Sequence, residues 1–252
     1  GTADEEREDR SVKGLDLTET GTIDSAAVAT GAELYAYSGF TASDYLSRSA
    51  TYQYGAFDFG TGDFSIMFWV KSAATGSYED YAARGDASVE AGDWLVQKHT
   101  NEKLGFYRSS GSGWIATKES TGTVGTSWMQ VVAVRRSGVF NWYFNGEFDS
   151  SVADTSSYTP AGGSALVIGR RLDNASPAAN ASLSLLRISA TAPTPQQIKE
   201  IYEAEKPLFA ANAKCLLQST SASLPNVVHD LSYDKSTDLL SVSQYVLTDN
   251  AE

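Results

Sequence analysis

Aromatic and planar polar side chains are set among Gly- and Ser-rich segments of this 252-residue chain. Such groups can hold a sugar, because rings cover its apolar face while amide, carboxylate and guanidinium groups bond its hydroxyls. The candidates for a carbohydrate-binding surface are Tyr78, Tyr81, Tyr107, Arg108, Trp114, Asp173 and Asn174. Tyr78, Tyr81 and Trp114 are the strongest candidates, because their sequence neighbours are polar or glycine. The alternative for each aromatic is a place in the core or in an interface.

Patterns for catalysis are weak by comparison. Glycosidases need two carboxylates, an acid and a base or nucleophile, and no predicted strand carries an alternating Asp or Glu pair. Glu79 and Asp80 are predicted to lie in a loop. The only histidines are His99 and His229. A lyase base would need basic neighbours, so His99 is interpreted as a polar residue at a strand end, and an enzyme is the minority hypothesis.

The composition excludes several classes of partner. A formal charge of −12 and a pI of about 4.6 argue against nucleic acid, which requires clustered Lys and Arg, and against an anionic membrane surface. No apolar run reaches transmembrane length, so membrane insertion is not expected. The single cysteine, Cys215, excludes an internal disulfide and is interpreted as a small buried hydrophobe.

The stretch from Thr126 to Phe148 predicts the centre of the fold. Trp128, Val132 and Val134 alternate with Met129, Val131 and Ala133, and apolar residues on both sides of a strand suit the middle of a sandwich. Asn145-Gly146 is a strong signal for a two-residue hairpin turn. About three antiparallel strands are therefore predicted here.

Further short runs predict an all-β domain with appended segments. They are Ala32–Ser38, Asp44–Leu46, a strand within Asp58–Lys71, Trp94–Lys98, Leu104–Arg108, Gly113–Lys118, Ala165–Gly169 and Ser182–Ser189. The polar segment 73–92 is predicted as a long loop. A capping box at Thr194–Gln197 starts a helix over 194–206. The predicted divisions are an acidic arm or linker (1–22), a sandwich domain (23–209) and a C-terminal β-hairpin extension (210–252).

Four motifs together resemble the concanavalin A-like jelly roll of the laminin-G/pentraxin-like branch. They are GTGDFSIMFWVK (Gly60–Lys71), SWMQVVAVRRSGVFNWYFNGE (Ser127–Glu147), ALVIGRR (Ala165–Arg171) and SLSLLRISATAPTPQQIKEIY (Ser182–Tyr202). The resemblance implies an antiparallel jelly-roll sandwich with a short C-terminal helix and a β extension.

Many members of this branch bind calcium through an Asp after the first β-strand and another at the start of the penultimate strand motif. The matching positions here, Tyr37–Gly39 and Ser182–Leu185, contain no carboxylate. Since calcium prefers carboxylate oxygens, no cofactor and no metal site are expected; if calcium binds after all, Asp44 is the alternative ligand.

A narrower resemblance involves Val28–Leu46, Ile188–Phe209 and Val227–Val242. These segments resemble domains of bacteriophage tail fibres, tailspikes and other virion proteins. The resemblance implies a non-catalytic adhesion or receptor-recognition module at a virion or extracellular location. Its expected partners are a host surface glycan or other virion proteins, and a homo-oligomer, with a trimer favoured, is expected. The alternatives are a structural or decoration protein without its own ligand and, less favoured, a polysaccharide-degrading enzyme.

Overall fold

A computed structural model describes residues 14–48, 57–73, 76–85, 91–159, 165–173, 176–213, 228–234 and 239–244. The chain divides into two compact units, Gly1–Ala213 and Lys214–Glu252. The first is a two-sheet antiparallel β-sandwich, and in the second the described residues form a β-hairpin. The all-β class predicted from the sequence is confirmed.

The strands of the first half of the sandwich are β1 (Thr18–Thr20), β2 (Asp24–Ala27), β3 (Tyr35–Ser38), β4 (Tyr45–Arg48), β5 (Phe64–Ser72), β6 (Glu79–Arg84) and β7 (Ala91–Lys98). The next are β8 (Lys103–Ser110), β9 (Trp114–Thr123), β10 (Met129–Arg136), β11 (Val139–Phe144), β12 (Glu147–Ala153), β13 (Leu166–Ile168) and β14 (Ala181–Ser189). Helix α1 (Pro195–Glu205) and a 3₁₀ turn (Lys206–Phe209) follow.

Two seven-stranded sheets face each other. Sheet A has the strand order β1-β4-β13-β6-β7-β8-β9, and sheet B has the order β12-β11-β10-β5-β14-β3-β2. In sheet B, β5 and β10 pair in the register Phe68↔Val131 and Ile66↔Ala133. Both strands are covered on both faces, as their sequences predict. The predicted Asn145-Gly146 turn is also confirmed, with both residues at positive φ.

The core between the sheets is aromatic. The ring centroid of Phe106 lies 5.4 Å from that of Phe64 and 5.0 Å from that of Phe140. Trp94 of sheet A and Trp142 of sheet B extend the same cluster, and both are almost completely buried. Side chains of this size bury large apolar areas, so this layer supplies most of the hydrophobic stabilisation.

Helix α1 covers the outer face of sheet B. Thr194 and Gln197 form the predicted capping box, with Pro195 in the first turn. Ile198 packs on an outer-face cluster that includes Val132 and Val134. No helix in the described ranges combines the length and the apolar character needed to cross a membrane.

Two segments differ from the sequence predictions. Segment 73–92 is not one long loop, because β6 lies inside it and β7 already begins at Ala91. Strand β1 pairs with β4 in sheet A, so the predicted arm cannot extend to residue 22 as a free segment. The C-terminal hairpin is present as β15 (Val228–Asp234) and β16 (Leu239–Gln244). Residues 1–13, the predicted turn at 235–238 and Cys215 lie outside the described residues.

Candidate carbohydrate-binding patch

A β-bulge in β6 decides which side chains reach the outer face of sheet A. Asp80 pairs with Gln97 and Ala82 pairs with Val96, so Tyr81 is an extra residue between them. Tyr81 and Ala82 both face the core, while Ala83 packs with Leu95 and Tyr107 on the outer face of sheet A. The bulge therefore lets Asp80 face outward although its two successors point inward, a common use of bulges near functional sites.

Tyr107 occupies the middle of this outer face. Its hydroxyl is hydrogen-bonded to Nε2 of His99, and its ring packs with Leu95, Ala83 and Trp114. Gly105 makes room for this contact, since a Cβ there would lie 2.5 Å from Nε2 of His99 and 2.6 Å from Cε2 of Tyr107. We refer to the residues grouped here as the Tyr107 patch: Tyr78, Asp80, Gln97, His99, Tyr107, Trp114, Glu119, Arg171 and Asp173.

Asp80 is the buried anchor of the polar half of the patch. Nε2 of Gln97 donates a 2.5 Å hydrogen bond to its Oδ1. Nε of Arg171 lies 3.6 Å from its Oδ2 and 2.7 Å from Oδ1 of Asp173. Burial raises the pKa of Asp80 to about 7, although Arg171 and the Gln97 hydrogen bond oppose the shift.

The rim of the patch is open to solvent. Tyr78 is 48% exposed, and its ring lies 5.7 Å from the imidazole of His99. Nδ1 of His99 lies 3.5 Å from Oε1 of Glu119. Burial lowers the pKa of His99, and Glu119 opposes that shift. Burial likewise raises the pKa of Tyr107 to about 12, with Tyr78, Glu119 and Asp80 adding to the effect.

The buried side of the patch keeps some hydrogen-bonding capacity unused. Among the described residues, nothing donates a hydrogen bond to Oδ2 of Asp80 and nothing accepts one from Nε1 of Trp114, although both atoms are buried. Polar atoms in this condition are usually satisfied by water or by a ligand. The patch thus combines the exposed ring of Tyr78 and the largely buried ring of Tyr107 with two buried polar atoms that retain hydrogen-bonding capacity, a set of groups of the kind that binds sugars.

An internal cation supports the patch from behind. Lys98 is fully buried, and its ammonium lies 3.3 Å from Glu79 and 2.9 Å from Glu102. It also donates to Ser72 Oγ at 2.9 Å. Glu102 in turn accepts a 3.0 Å hydrogen bond from the backbone N–H of Gly76, two residues before Tyr78. We call Lys98, Glu79, Glu102 and Ser72 the Lys98 cluster; it holds the segments that present Tyr78 and His99.

Of the residues proposed from the sequence, Tyr78, Tyr107, Trp114 and Asp173 share this patch. The prediction for Tyr81 as an exposed loop aromatic was wrong: it lies in β6, is 1% exposed and bonds Glu79 inside the sandwich. Arg108 was also misplaced, because alternation along β8 puts it on the opposite face from Tyr107. There it adds to the effect of burial, which lowers the pKa of Lys118. Asn174 lies outside the described residues.

Five members of the patch were not predicted as binding residues from the sequence: Asp80, Gln97, His99, Glu119 and Arg171. Their grouping follows the register Asp80↔Gln97↔Gly105↔Glu119 across β6 to β9. The available signal was the alternation of Gln97 and His99 in VQKHT, which places two polar side chains on one face of a predicted strand. The partners on the neighbouring strands carry no such local signal.

Asp44, the residue considered as an alternative calcium ligand, accepts hydrogen bonds from two neighbouring segments of the chain. Its Oδ1 accepts a 2.9 Å hydrogen bond from the N–H of Thr22, and its Oδ2 accepts one from the Thr41 hydroxyl. These hydrogen bonds lower the pKa of Asp44. Within the described ranges, no three His, Cys, Asp or Glu side chains are grouped so that they could hold a metal ion.

The geometry of the patch does not suit the glycosidase and lyase mechanisms considered from the sequence. Asp80 and Glu119 are three strand spacings apart, roughly 14 Å, beyond the separation of a glycosidase pair. Asp80 and Asp173 are closer, but the Arg171 guanidinium lies between them. The His99–Tyr107 pair faces the acidic Glu119 and lacks the basic surroundings that a lyase base requires.

The two-sheet sandwich with an outer-face patch defines a lectin-like fold, and the sequence comparison agrees. The family model described as "Concanavalin A-like lectin/glucanases superfamily" matches residues 41–199. The chain therefore belongs to that superfamily. No curated protein sequence matches the chain.

Solved structures with the same fold include several toxin domains. The binding domain of Paraclostridial Mosquitocidal Protein 1 matches with a TM-score of 0.59 and 12% identity over 78% of this chain and 49% of that one. The binding domain of botulinum neurotoxin DC in complex with rat synaptotagmin II gives a TM-score of 0.59 and 12% identity, over 78% and 48%. The same domain in complex with SialylT gives 0.56 and 10%, over 78% and 48%. The match thus spans about half of each of those chains, and it establishes the fold alone.

Proposed function

We propose that this protein is a non-catalytic module that binds surface carbohydrate through the Tyr107 patch. The observation that carries the proposal is the convergence of Tyr78, Tyr107 and Trp114 with planar polar groups on the one outer face that α1 leaves uncovered. Support comes from membership of the lectin/glucanase superfamily and from structural neighbours that are binding domains of toxins. No acid–base pair of catalytic spacing competes with this interpretation in the described patch.

We further propose a virion setting, in which the module recognises a host surface glycan at the tip of a fibre or spike. This part rests on the sequence motifs that resemble tail-fibre and tailspike domains. Such a module needs affinity for the outer polysaccharide of a cell and needs no chemistry of its own. Avidity from a trimeric assembly would compensate for weak binding at each patch.

A carbohydrate array that includes bacterial surface polysaccharides tests the binding proposal. It is run with wild type, Tyr78→Ala and a matched control, Tyr35→Ala, which removes a tyrosine of 44% exposure from β3 of sheet B. Selective binding that is lost in Tyr78→Ala and kept in Tyr35→Ala supports the proposal. Absence of binding to every glycan, or equal loss in both variants, contradicts it. Parallel arrays with calcium and with a chelator report whether a cation takes part.

A structural role is the second candidate, and one observation favours it. Within Lys214–Glu252, the described residues form a two-stranded hairpin, β15 and β16, and an isolated hairpin is at best marginally stable. A segment of this kind would gain stability in an assembly. Native mass spectrometry with and without residues 214–252 tests this role. A trimer that dissociates on truncation supports it, and an unchanged number of subunits contradicts it.

A further inference from the structure

The charges around Tyr107 are unevenly distributed. Asp80, Glu119 and Asp173 are carboxylates, and the first two both act on the hydroxyl of Tyr107. Glu119 and Asp173 are partly exposed, with side-chain exposures of 48% and 40%. A ligand that reaches the exposed ring of Tyr78 and the hydroxyl of Tyr107 would therefore meet an acidic rim.

Arg171, the cation of the patch, is already paired with two carboxyl groups of the protein. Arg171 lies between Asp80 and Asp173 and keeps only 17% side-chain exposure. Burial lowers the pKa of His99, which favours the neutral imidazole, although Glu119 opposes the shift. A carboxylate or sulfate on a ligand would have to displace Asp173 from Arg171, at the cost of leaving one anion without its partner.

Other sources of positive charge are distant or directed elsewhere. Lys103 shares the outer face of β8 by alternation, but it is four residues from Tyr107, about 13 Å along the strand. Lys98 and Lys118 are buried and engaged by carboxylates on the core side. The short segments 49–56, 74–75, 86–90, 160–164 and 174–175 contain no Lys or Arg. Outside the described residues, the basic side chains are Arg7, Arg10, Lys13, Lys214 and Lys235, all in the segments 1–13, 214–227 and 235–238.

We infer that the Tyr107 patch selects uncharged saccharides and excludes those bearing carboxylate or sulfate groups. This inference rests on the proposed function and narrows its ligand class. Neutral sugars offer hydroxyl donors for Oδ2 of Asp80 and hydroxyl acceptors for Nε1 of Trp114, two buried atoms of the patch that form no hydrogen bond with the described residues. They also offer apolar ring faces for Tyr78. Acidic sugars offer the same features together with a charge that the rim repels.

The test uses neutral and acidic versions of the same backbone: dextran with carboxymethyl dextran and dextran sulfate, hydroxyethyl cellulose with carboxymethyl cellulose, and paired neutral and uronate-containing bacterial capsular polysaccharides. Binding is measured at about 0.05 and 0.5 M NaCl, where surface charge effects differ strongly. We expect wild type to bind at least one neutral member about tenfold more tightly than its acidic partner, with little dependence on salt.

A charge variant provides the second arm. Asp173→Asn/Glu119→Gln removes two exposed rim charges and should raise affinity for the acidic partner about fivefold to tenfold at low salt, since each exposed charge contributes modestly. Glu147→Gln on β12 of sheet B is the matched control, because Glu147 is also an exposed carboxylate in a surface ion pair, and it should change nothing.

The outcomes separate the two levels of the argument. Tighter wild-type binding to an acidic member, lost in Tyr78→Ala, overturns the selectivity and leaves carbohydrate binding in place. Absence of binding across the whole panel overturns the selectivity together with the proposed function. Binding to neutral members with the predicted gain in Asp173→Asn/Glu119→Gln supports both.

Discussion

The ammonium of Lys98 lies 3.3 Å from Oε2 of Glu79, and neither side chain is more than 1% exposed. The pair belongs to adjacent strands of sheet A and faces the core, directly behind the patch that we assign to ligand binding. Ser72 donates to the same carboxylate oxygen at 2.7 Å. The charge of Lys98 is thus compensated inside the sandwich, and its contacts hold together the strands that carry Glu79 and Ser72.

Lys98→Met should lower the free energy of unfolding by about 3–5 kcal/mol, because it leaves the buried Glu79 without its cation. Chemical denaturation measures the change, and Lys103→Met, at the start of the adjacent strand, is the control. A loss below about 1 kcal/mol would show that the cluster is not the support inferred here. The double variant Lys98→Met/Glu79→Gln should recover part of the loss.

Gly105→Ala should weaken saccharide binding more than about tenfold while the sandwich stays folded. Its Cβ would lie within 2.6 Å of both His99 and Tyr107, so the pair must separate. Gly113→Ala is the matched control, because a Cβ at Gly113 meets nothing within 4 Å. Isothermal titration with the bound glycan and thermal melting are the measurements. Equal affinities in the two variants would remove the His99–Tyr107 contact from the binding surface.

Asp80 should make stability depend on pH between about 4 and 7. Its folded pKa is raised to about 7 from an ordinary value of 3.8, so the folded state holds the proton more tightly than the unfolded state. The contribution is present below the unfolded pKa and is lost as the pH rises toward 7. Asp80→Asn should flatten this part of the profile, measured as the difference in Tm between wild type and variant from pH 4 to 8. Parallel profiles would contradict the assignment.

Gly169→Ala should cost roughly 2–5 kcal/mol of stability, by backbone strain and by overlap. Gly169 has φ +86°, and a Cβ there would lie 2.0 Å from the ring of Phe40. Gly111 has the same φ, but its Cβ would find its nearest neighbour at 3.5 Å. Gly111→Ala should therefore cost only the strain, about 1–2 kcal/mol. Denaturation midpoints of the two variants decide the point, and equal losses would exclude the overlap with Phe40.

Periodic segments were predictable from the sequence because burial imposes a period on them. Strand β5 shows Phe64, Ile66 and Phe68 on the core side, and α1 begins at the capping box of Thr194. Strand β6 was missed because the bulge places Tyr81 and Ala82 on the same side and breaks the alternation. Its polar residues then read as a loop. Of these polar residues, Glu79 belongs to the Lys98 cluster and Asp80 to the Tyr107 patch.

The candidate site was predictable in its aromatic residues and in Asp173. Tyr78 and Trp114 stand in polar sequence surroundings, so they could be singled out. The positions of Asp80 and Glu119 on one face depend on strand register over three neighbours, which local spacing does not encode. The binding role itself stays a prediction, as do the virion location and the trimer.

Helix α1 packs on the outer face of sheet B, whereas the Tyr107 patch lies on the outer face of sheet A. Substitutions in the patch, such as Asp173→Asn or Tyr78→Ala, therefore leave the contacts of Ile198 and the Trp69–Glu205 hydrogen bond untouched. Such separation allows the residues of the patch to vary without disturbing the packing of α1. The same property makes the sandwich a practical starting point for libraries of new glycan specificities, with randomisation confined to one face of one sheet.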